Sequence, residues 1–472
     1  MGKDWEKPGS VIHRAEAAAA LAALTAVTVI GDVEGVRGLM QLIGLEKSRH
    51  ALYAVTGSFL NPGPYGCLLG LSFVTAFALA GTFGLNMNAT AKAASRLFGF
   101  GSMLVITAPL AASMSRTGWI AAMAGCAVSI LLKRHTVRKR NNDAEQCRYG
   151  GQQILRWSVV TLATVALLGG LYTMKARSAQ GRFLIWKCGM KAALHAPLKG
   201  VGDKHAIGAY GEAQEEYFRS GAGTEAEAMA AGAPEYFFNE YLHIAVAYGI
   251  PASAGFVALL AFSFTNALRA KAYGSAAGVT ALAIVCLASY PFESILSVTT
   301  ACCLVTGALA APGFPGRWLT AVRWLLIVAA ASVTWHVDSS LRSRDPNETQ
   351  RLFEYGRSLQ RGGHYEKSHA VLSKAMKQSS DCMIPTLMSK NADAMGDTAM
   401  ARKLLEKAIW RCPARMYPRY LLMLHYGNLG DSVRMRVNAR RILDMPVKVH
   451  STATTEMRQA ATLVLMNQQP ES

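Results

Sequence analysis

Two arginines and one rigid loop are the residues of this chain best suited to chemistry. Ser115-Arg116-Thr117-Gly118 sets one arginine in a tight turn. Gly181-Arg182-Phe183-Leu184-Ile185-Trp186-Lys187 sets another on an amphipathic helix. A guanidinium is planar, permanently charged and offers parallel N–H donors, so two of them can grip phosphate oxygens bidentately without a metal ion. Gly57-Ser58-Phe59-Leu60-Asn61-Pro62-Gly63-Pro64-Tyr65-Gly66 is a rigid loop, with Asn61, Pro62 and Tyr65 as its candidate lining residues. Its backbone amides can face a polar cavity, the setting in which irregular backbone is tolerated at membrane depth. Each feature alone also has a plain explanation, a tight turn for the loop and a snorkelling interface residue for each arginine.

The elements that must position these residues are set by composition. Of 472 residues, 51% are hydrophobic and 17% charged, against roughly 25% charged in an average soluble domain. A mean hydropathy of +0.19 is too apolar for a water-soluble enzyme of this length, and disorder is excluded for the same reason. The 49 Lys+Arg against 30 Asp+Glu give a formal charge of +19. No basic stripe is interleaved with aromatics, so nucleic acid is not an expected partner. The chain reads as an all-α membrane protein.

About nine apolar stretches approach the length needed to cross a bilayer. They are Ala17–Ile30, Tyr65–Leu85, Leu97–Met114, Gly118–Leu132, Trp157–Met174, Tyr241–Phe264, Ser275–Tyr290, Ile295–Ala311 and Trp318–Trp335. Asp32, Glu34 and Arg37 mark the end of the first or face the bundle interior. Asp4, Glu6 and Glu16 argue against a cleavable leader. The loop holding Lys133, Arg134, Arg138, Lys139, Arg140 and Arg148 is basic enough to stay in the cytoplasm. Counting spans from it puts Leu45–Pro64, the Arg116 turn, loop 175–238 and everything after about Val337 outside. Both arginines then share the outer face, where a lipid diphosphate would need such a clamp.

Residues 337–472 turn soluble, charged and helical, which divides the chain into a polytopic membrane domain, 1–336, and a repeat domain. Gly363 and Gly396 are 33 apart, Ala375 and Ala408 are 33 apart, and Gly430 follows Gly396 by 34. This is tetratricopeptide spacing and predicts an α-solenoid offering a concave surface to a protein partner; an ordinary helical bundle is the alternative. The nine cysteines form no metal-like pair, and no metal or other cofactor is expected. Cys382 opens and Cys412 closes the second repeat, ends that antiparallel helices bring together. They are either bridged or two independent thiols.

The asparagine-proline loop, the Ser-Arg-Thr-Gly turn, the Gly-Arg…Trp-Lys helix with Ala196-Pro197-Leu198-Lys199-Gly200-Val201-Gly202, and Asn239-Glu240-Tyr241-Leu242 through Gly249-Ile250 occur in that order. Over about residues 30–310 this set resembles the O-antigen ligase/polymerase superfamily of bacterial membrane glycosyltransferases, in the version with a tetratricopeptide C-terminus. The resemblance implies a C-type glycosyltransferase membrane fold in the bacterial inner membrane, with the repeat domain on the periplasmic side. It implies an undecaprenyl-diphosphate-linked glycan as donor, and lipid A-core, a growing polysaccharide or protein as acceptor. Arg116 and Arg182 match the family's diphosphate-binding arginines, and Asn61, Pro62, Tyr65 and Asn239 line the site.

The chain departs from the family twice. Many members have a histidine before the Asn that opens the sixth span, and Phe238 stands there. Glu240 and His243 are the nearest replacements for a base, with Glu240 preferred for its place at the membrane boundary. The family also has several spans ahead of the asparagine-proline loop, so the chain reads as a truncated gene product, a wrongly called start or a shortened divergent member. The alternative function is a non-catalytic, membrane-anchored tetratricopeptide scaffold of an envelope glycan assembly machine. A transporter would show an inverted repeat of broken helices, and none is visible.

Overall fold

A computed structural model describes residues 8–82, 88–140, 176–314, 316–343, 347–448 and 450–466. Among the described residues every regular element is a helix. In order they are α1 (Pro8–Leu42), α2 (Pro62–Gly81), α3 (Ala89–Ala112), α4 (Arg116–Arg140), α5 (Ala176–His195), α6 (Ala206–Arg219) and α7 (Glu225–Ala230). Then come α8 (Glu240–Tyr248), α9 (Ile250–Arg269), α10 (Tyr273–Ala288), α11 (Ile295–Ala310) and α12 (Arg317–Ser343). The last seven are α13 (Glu348–Arg361), α14 (Tyr365–Met376), α15 (Met383–Ala394), α16 (Thr398–Arg411), α17 (Met416–Asn428), α18 (Ser432–Asp444) and α19 (Thr452–Met466). The chain forms two compact units, one of Met1–Met174, Phe238–Tyr241 and Ala254–Arg344, the other of Lys175–Phe237, Leu242–Ser253 and Asp345–Ser472.

The first unit holds the apolar helices. Ala15–Leu42, α2, α3 and α9 are long and apolar enough to cross a membrane, and Tyr273–Ala288, Ile295–Ala310 and Trp318–Ser332 are shorter apolar helices. Its core gathers Val27, Leu71, Val74, Leu282 and Leu304 from four of these helices. Glycines let α2 and α4 cross backbone to backbone: a Cβ on Gly118 would strike the Gly66 carbonyl, and one on Gly70 would strike Gly118. The end of α11 is closed by polar side chains. Asn266 Nδ2 donates to the Ala308 and Ala311 carbonyls at 2.8 Å, and Arg323 Nε donates to the Leu309 carbonyl at 2.8 Å. Arg323 also pairs with Glu16, both buried.

For one expected span the structure selects between two sequence readings, and another differs from its reading. Helix α1 runs through Asp32, Glu34 and Arg37 to Leu42, because the acids turn onto protein partners: Ser102 donates to Asp32 at 2.7 Å, and the Ser58 amide donates to Glu34 at 2.8 Å. The Tyr241–Phe264 stretch is two helices, broken at Gly249 with φ +92°. There the backbone packs onto Leu198 too closely for any Cβ, and the Ile250 amide donates to the Pro197 carbonyl at 2.7 Å. The Trp157–Met174 stretch lies outside the described residues.

In the second unit α13 to α19 pack consecutively, joined by short turns. Gly363, Gly396 and Gly430 occupy every second turn at φ +76°, +81° and +73°, a conformation glycine reaches without steric cost. Asp397 and Asp431 follow and cap α16 and α18 through the Met400 and Arg434 amides. Helix α6 lies against this array. Gly208 abuts the Lys377 carbonyl and Gly211 abuts Ser380. The fully buried Arg411 donates to the Ser379 carbonyl at 3.1 Å and lies 3.8 Å from Glu215 of α6.

Candidate functional site

The sequence-predicted residues of the first unit meet at the N-terminal ends of α2 and α4. Helix α1 holds the asparagine-proline loop from below. Gln41 Oε1 accepts the Thr56 and Gly57 amides at 2.9 Å each and its Nε2 donates to the Gly57 carbonyl, while Glu34 takes the Ser58 amide. Asn61 caps α2, its Oδ1 accepting from Gly63 N at 2.9 Å, with Pro62 as the first helical residue. Tyr65 is buried and donates to the Glu34 carbonyl at 3.0 Å.

Arg116 opens α4 beside this loop. The preceding Met114 is left-handed, φ +53°, Ser115 Oγ donates to the Gly63 carbonyl at 3.0 Å, and Thr117 Oγ1 donates to the Ala288 carbonyl at 3.2 Å. The Arg116 side chain is thus carried on a turn fastened on both sides. Neither α2 nor α4 has an acid in its first turn, so two positive helix ends and a guanidinium share one neighbourhood. That is an anion-favouring arrangement.

Asn239 and Glu240 also belong to this unit. Phe238 adopts a left-handed conformation, φ +53°, strained for a bulky side chain, with its ring edge-on to Tyr290 at 5.3 Å. Glu240 is 1% exposed. Its Oε1 accepts the Phe292 amide at 3.1 Å, which ties the start of α8 to the turn between α10 and α11. The geometry is that of a brace.

In the second unit, loop 196–202 runs along the end of α8. The Val201 and Gly202 amides donate to the Val246 and Ala247 carbonyls at 2.9 Å, groups that a helix end otherwise leaves unpaired. Gly200 and Gly202 sit at φ +67° and +86°, and a Cβ at Gly200 would strike Ala247. This alignment delivers the next residue, Asp203, to His243, one turn back on the same helix face: Oδ1 lies 2.9 Å from Nε2. The pair is half-buried, at 33% and 23% exposure, and Phe237 stacks on the imidazole at 5.8 Å. Sequence reading missed Asp203, although an acid directly after Gly-Val-Gly was the available signal.

Arg182 lies on the face of α5 that meets the same segment. Four residues on, Trp186 Nε1 donates to the Phe237 carbonyl at 3.0 Å, and seven residues on, Gly189 packs against Phe237 and Leu242. Arg182 and His243 therefore flank one segment, whereas Arg116, Asn61, Pro62, Tyr65, Asn239 and Glu240 sit in the first unit. On the other face of α5, Lys187 donates to Tyr217 at 2.6 Å and Glu227 at 3.0 Å. These hydrogen bonds push the ammonium up to about 12. Glu227 loses some hydration, but donors from Thr224, Tyr217 and Lys187 outweigh that and hold its carboxyl at about 2. Among the described residues no cluster of three His, Cys, Asp or Glu is arranged to hold a metal ion.

Residues 100–257 match the O-antigen ligase family model. The matched segment includes Arg116, Arg182, Asp203, Glu240 and His243, while the asparagine-proline loop precedes it. With the apolar helices it makes this a membrane protein carrying an O-antigen ligase-like segment. No curated protein and no solved structure matches the chain.

Proposed function

We propose that this chain is an inner-membrane glycosyltransferase that moves a glycan from an undecaprenyl-diphosphate carrier to an acceptor hydroxyl or amide, on lipid A-core, a growing polysaccharide or protein. The observation that carries this reading is a held acid–base pair, Asp203–His243, flanked by an arginine-bearing helix face inside the O-antigen ligase match. With Nε2–H donating to Asp203, the lone pair on Nδ1 takes the acceptor's proton. The acceptor atom attacks the anomeric carbon, and the carbon–oxygen bond to the diphosphate breaks with its electrons leaving on the carrier. Arg182, on the helix face beside the pair, opposes the charge that develops there, fixed electrostatics of the kind that can dominate such a step; Arg116 is the second diphosphate ligand that the family resemblance implies. Glu240 serves as the brace its burial describes.

The helical array of the second unit, with glycines recurring at its turns, supports the reading of a tetratricopeptide solenoid that recruits the acceptor or a protein partner at the periplasmic face. Phe238, where the family's histidine is expected, is what favours the scaffold reading. The test is the envelope glycan profile of a deletion strain complemented with wild type or Arg182→Ala. A ladder or glycoprotein signal restored by wild type and not by an equally abundant Arg182→Ala supports transferase activity. A profile unchanged by deletion supports the scaffold.

A further inference from the structure

Cys382 is the residue before α15 and Cys412 the residue after α16. The two helices are packed neighbours, so the ends carrying these cysteines come together. Cys382 is 0% and Cys412 6% exposed, and they pack on each other and on Ala408 as a small separate cluster. Arg415 Nη1 lies 3.9 Å from Cys382 Sγ and 3.8 Å from Asp381. Arg415 thus places beside Cys382 a guanidinium that favours its thiolate, while burial works against it. No comparable pairing is available to Cys302 and Cys303, which are adjacent in sequence within α11.

We propose that Cys382 and Cys412 are joined by a disulfide that locks the α15–α16 hairpin. The proposal rests on the reading that this half faces an oxidising exterior. One cysteine thiolate attacks a protein disulfide donor, expelling a donor thiolate and forming a mixed disulfide. The second cysteine thiolate then attacks the mixed bond. The donor leaves as a dithiol, carrying the two electrons, and the protons pass to solvent or to the donor thiolates.

The experiment denatures full-length protein from membranes under acid quench, alkylates it with a maleimide, reduces it, alkylates it again with a second mass tag and maps the peptides. The expected result is that Cys382 and Cys412 carry only the second tag and yield a 382–412 linked peptide before reduction. Cys382→Ser then exposes Cys412 to the first tag, and the reverse holds for Cys412→Ser. Each variant is also expected to melt several degrees lower. First-tag labelling of both cysteines in the wild type overturns the proposal. A C-terminal alkaline phosphatase fusion separates the causes. If it is active while the thiols are reduced, only the disulfide is wrong. If it is inactive, the orientation falls, and the disulfide with it.

Discussion

Asp203→Asn isolates the part of the proposed mechanism that charge alone supplies. The asparagine amide oxygen can still accept from His243 Nε2, so the 2.9 Å contact survives while the carboxylate charge does not. When His243 takes a proton, the wild-type imidazolium gains a neighbouring anion. Charge centres about 4 Å apart interact by about 4 kcal/mol at an effective dielectric near 20 and about 1 kcal/mol in bulk water. The pair is 23% and 33% exposed, between those limits, so about 2 kcal/mol is a fair value. At 1.36 kcal/mol per tenfold, this is a roughly 30-fold loss of rate. The assay is single-turnover transfer in nanodiscs at saturating donor, with retention of the donor measured separately and expected to be unchanged. Asp203→Asn placed on His243→Gln should cost nothing further, because the two act as a unit. A transfer rate within twofold of wild type for Asp203→Asn refutes the reasoning, as does full additivity in the double variant.

Two further outcomes concern stability. Arg323→Ala strands the buried Glu16 carboxylate and removes a donor from the Leu309 carbonyl, which should cost about 3–5 kcal/mol, the range for breaking a buried pair. Thermal unfolding of detergent-solubilised protein measures it, and a variant as stable as wild type would contradict the pairing. The Lys187–Tyr217–Glu227 cluster sets a pH window. Glu227, lowered from 4.5 to about 2, stabilises above its ordinary value and loses that contribution as pH falls toward 2. Lys187, raised from 10.5 to about 12, stabilises below its ordinary value and loses that contribution as pH rises toward 12. Glu227→Gln should therefore flatten the acid limb of the melting-temperature profile, and an unaltered limb would remove the cluster from the account.

Much of the architecture was legible where a residue type answers a local demand. The recurrence of Gly363, Gly396 and Gly430 signals turns, and each turn has the positive φ that only glycine adopts cheaply. Arg116 and the asparagine-proline loop, far apart in the chain, were singled out by their chemistry and meet in one unit because Gly66, Gly70 and Gly118 let their helices touch. Less legible were features that depend on tertiary partners. The apolar run over 241–264 reads as one span although Gly249 and Pro251 stand inside it, and the break falls at Gly249, where the Leu198 backbone lies against the chain. Glu34 reads either as the end of a span or as an interior-facing acid, and α1 continues with Glu34 buried because the loop amide of Ser58 satisfies it. Of the two candidate bases, sequence prefers Glu240 for its place at the membrane boundary. Packing separates them, burying Glu240 against Phe292 and leaving His243 half-open beside Asp203.

The most direct measurement is release of undecaprenyl diphosphate by the purified chain in nanodiscs, given a synthetic undecaprenyl-diphosphate glycan and envelope acceptors. Wild type is predicted to release carrier together with a glycosylated product, and Arg116→Ala and Arg182→Ala to do so at least tenfold more slowly while remaining folded. Release undiminished in Arg182→Ala, or absent from the wild type across acceptors, would contradict the account.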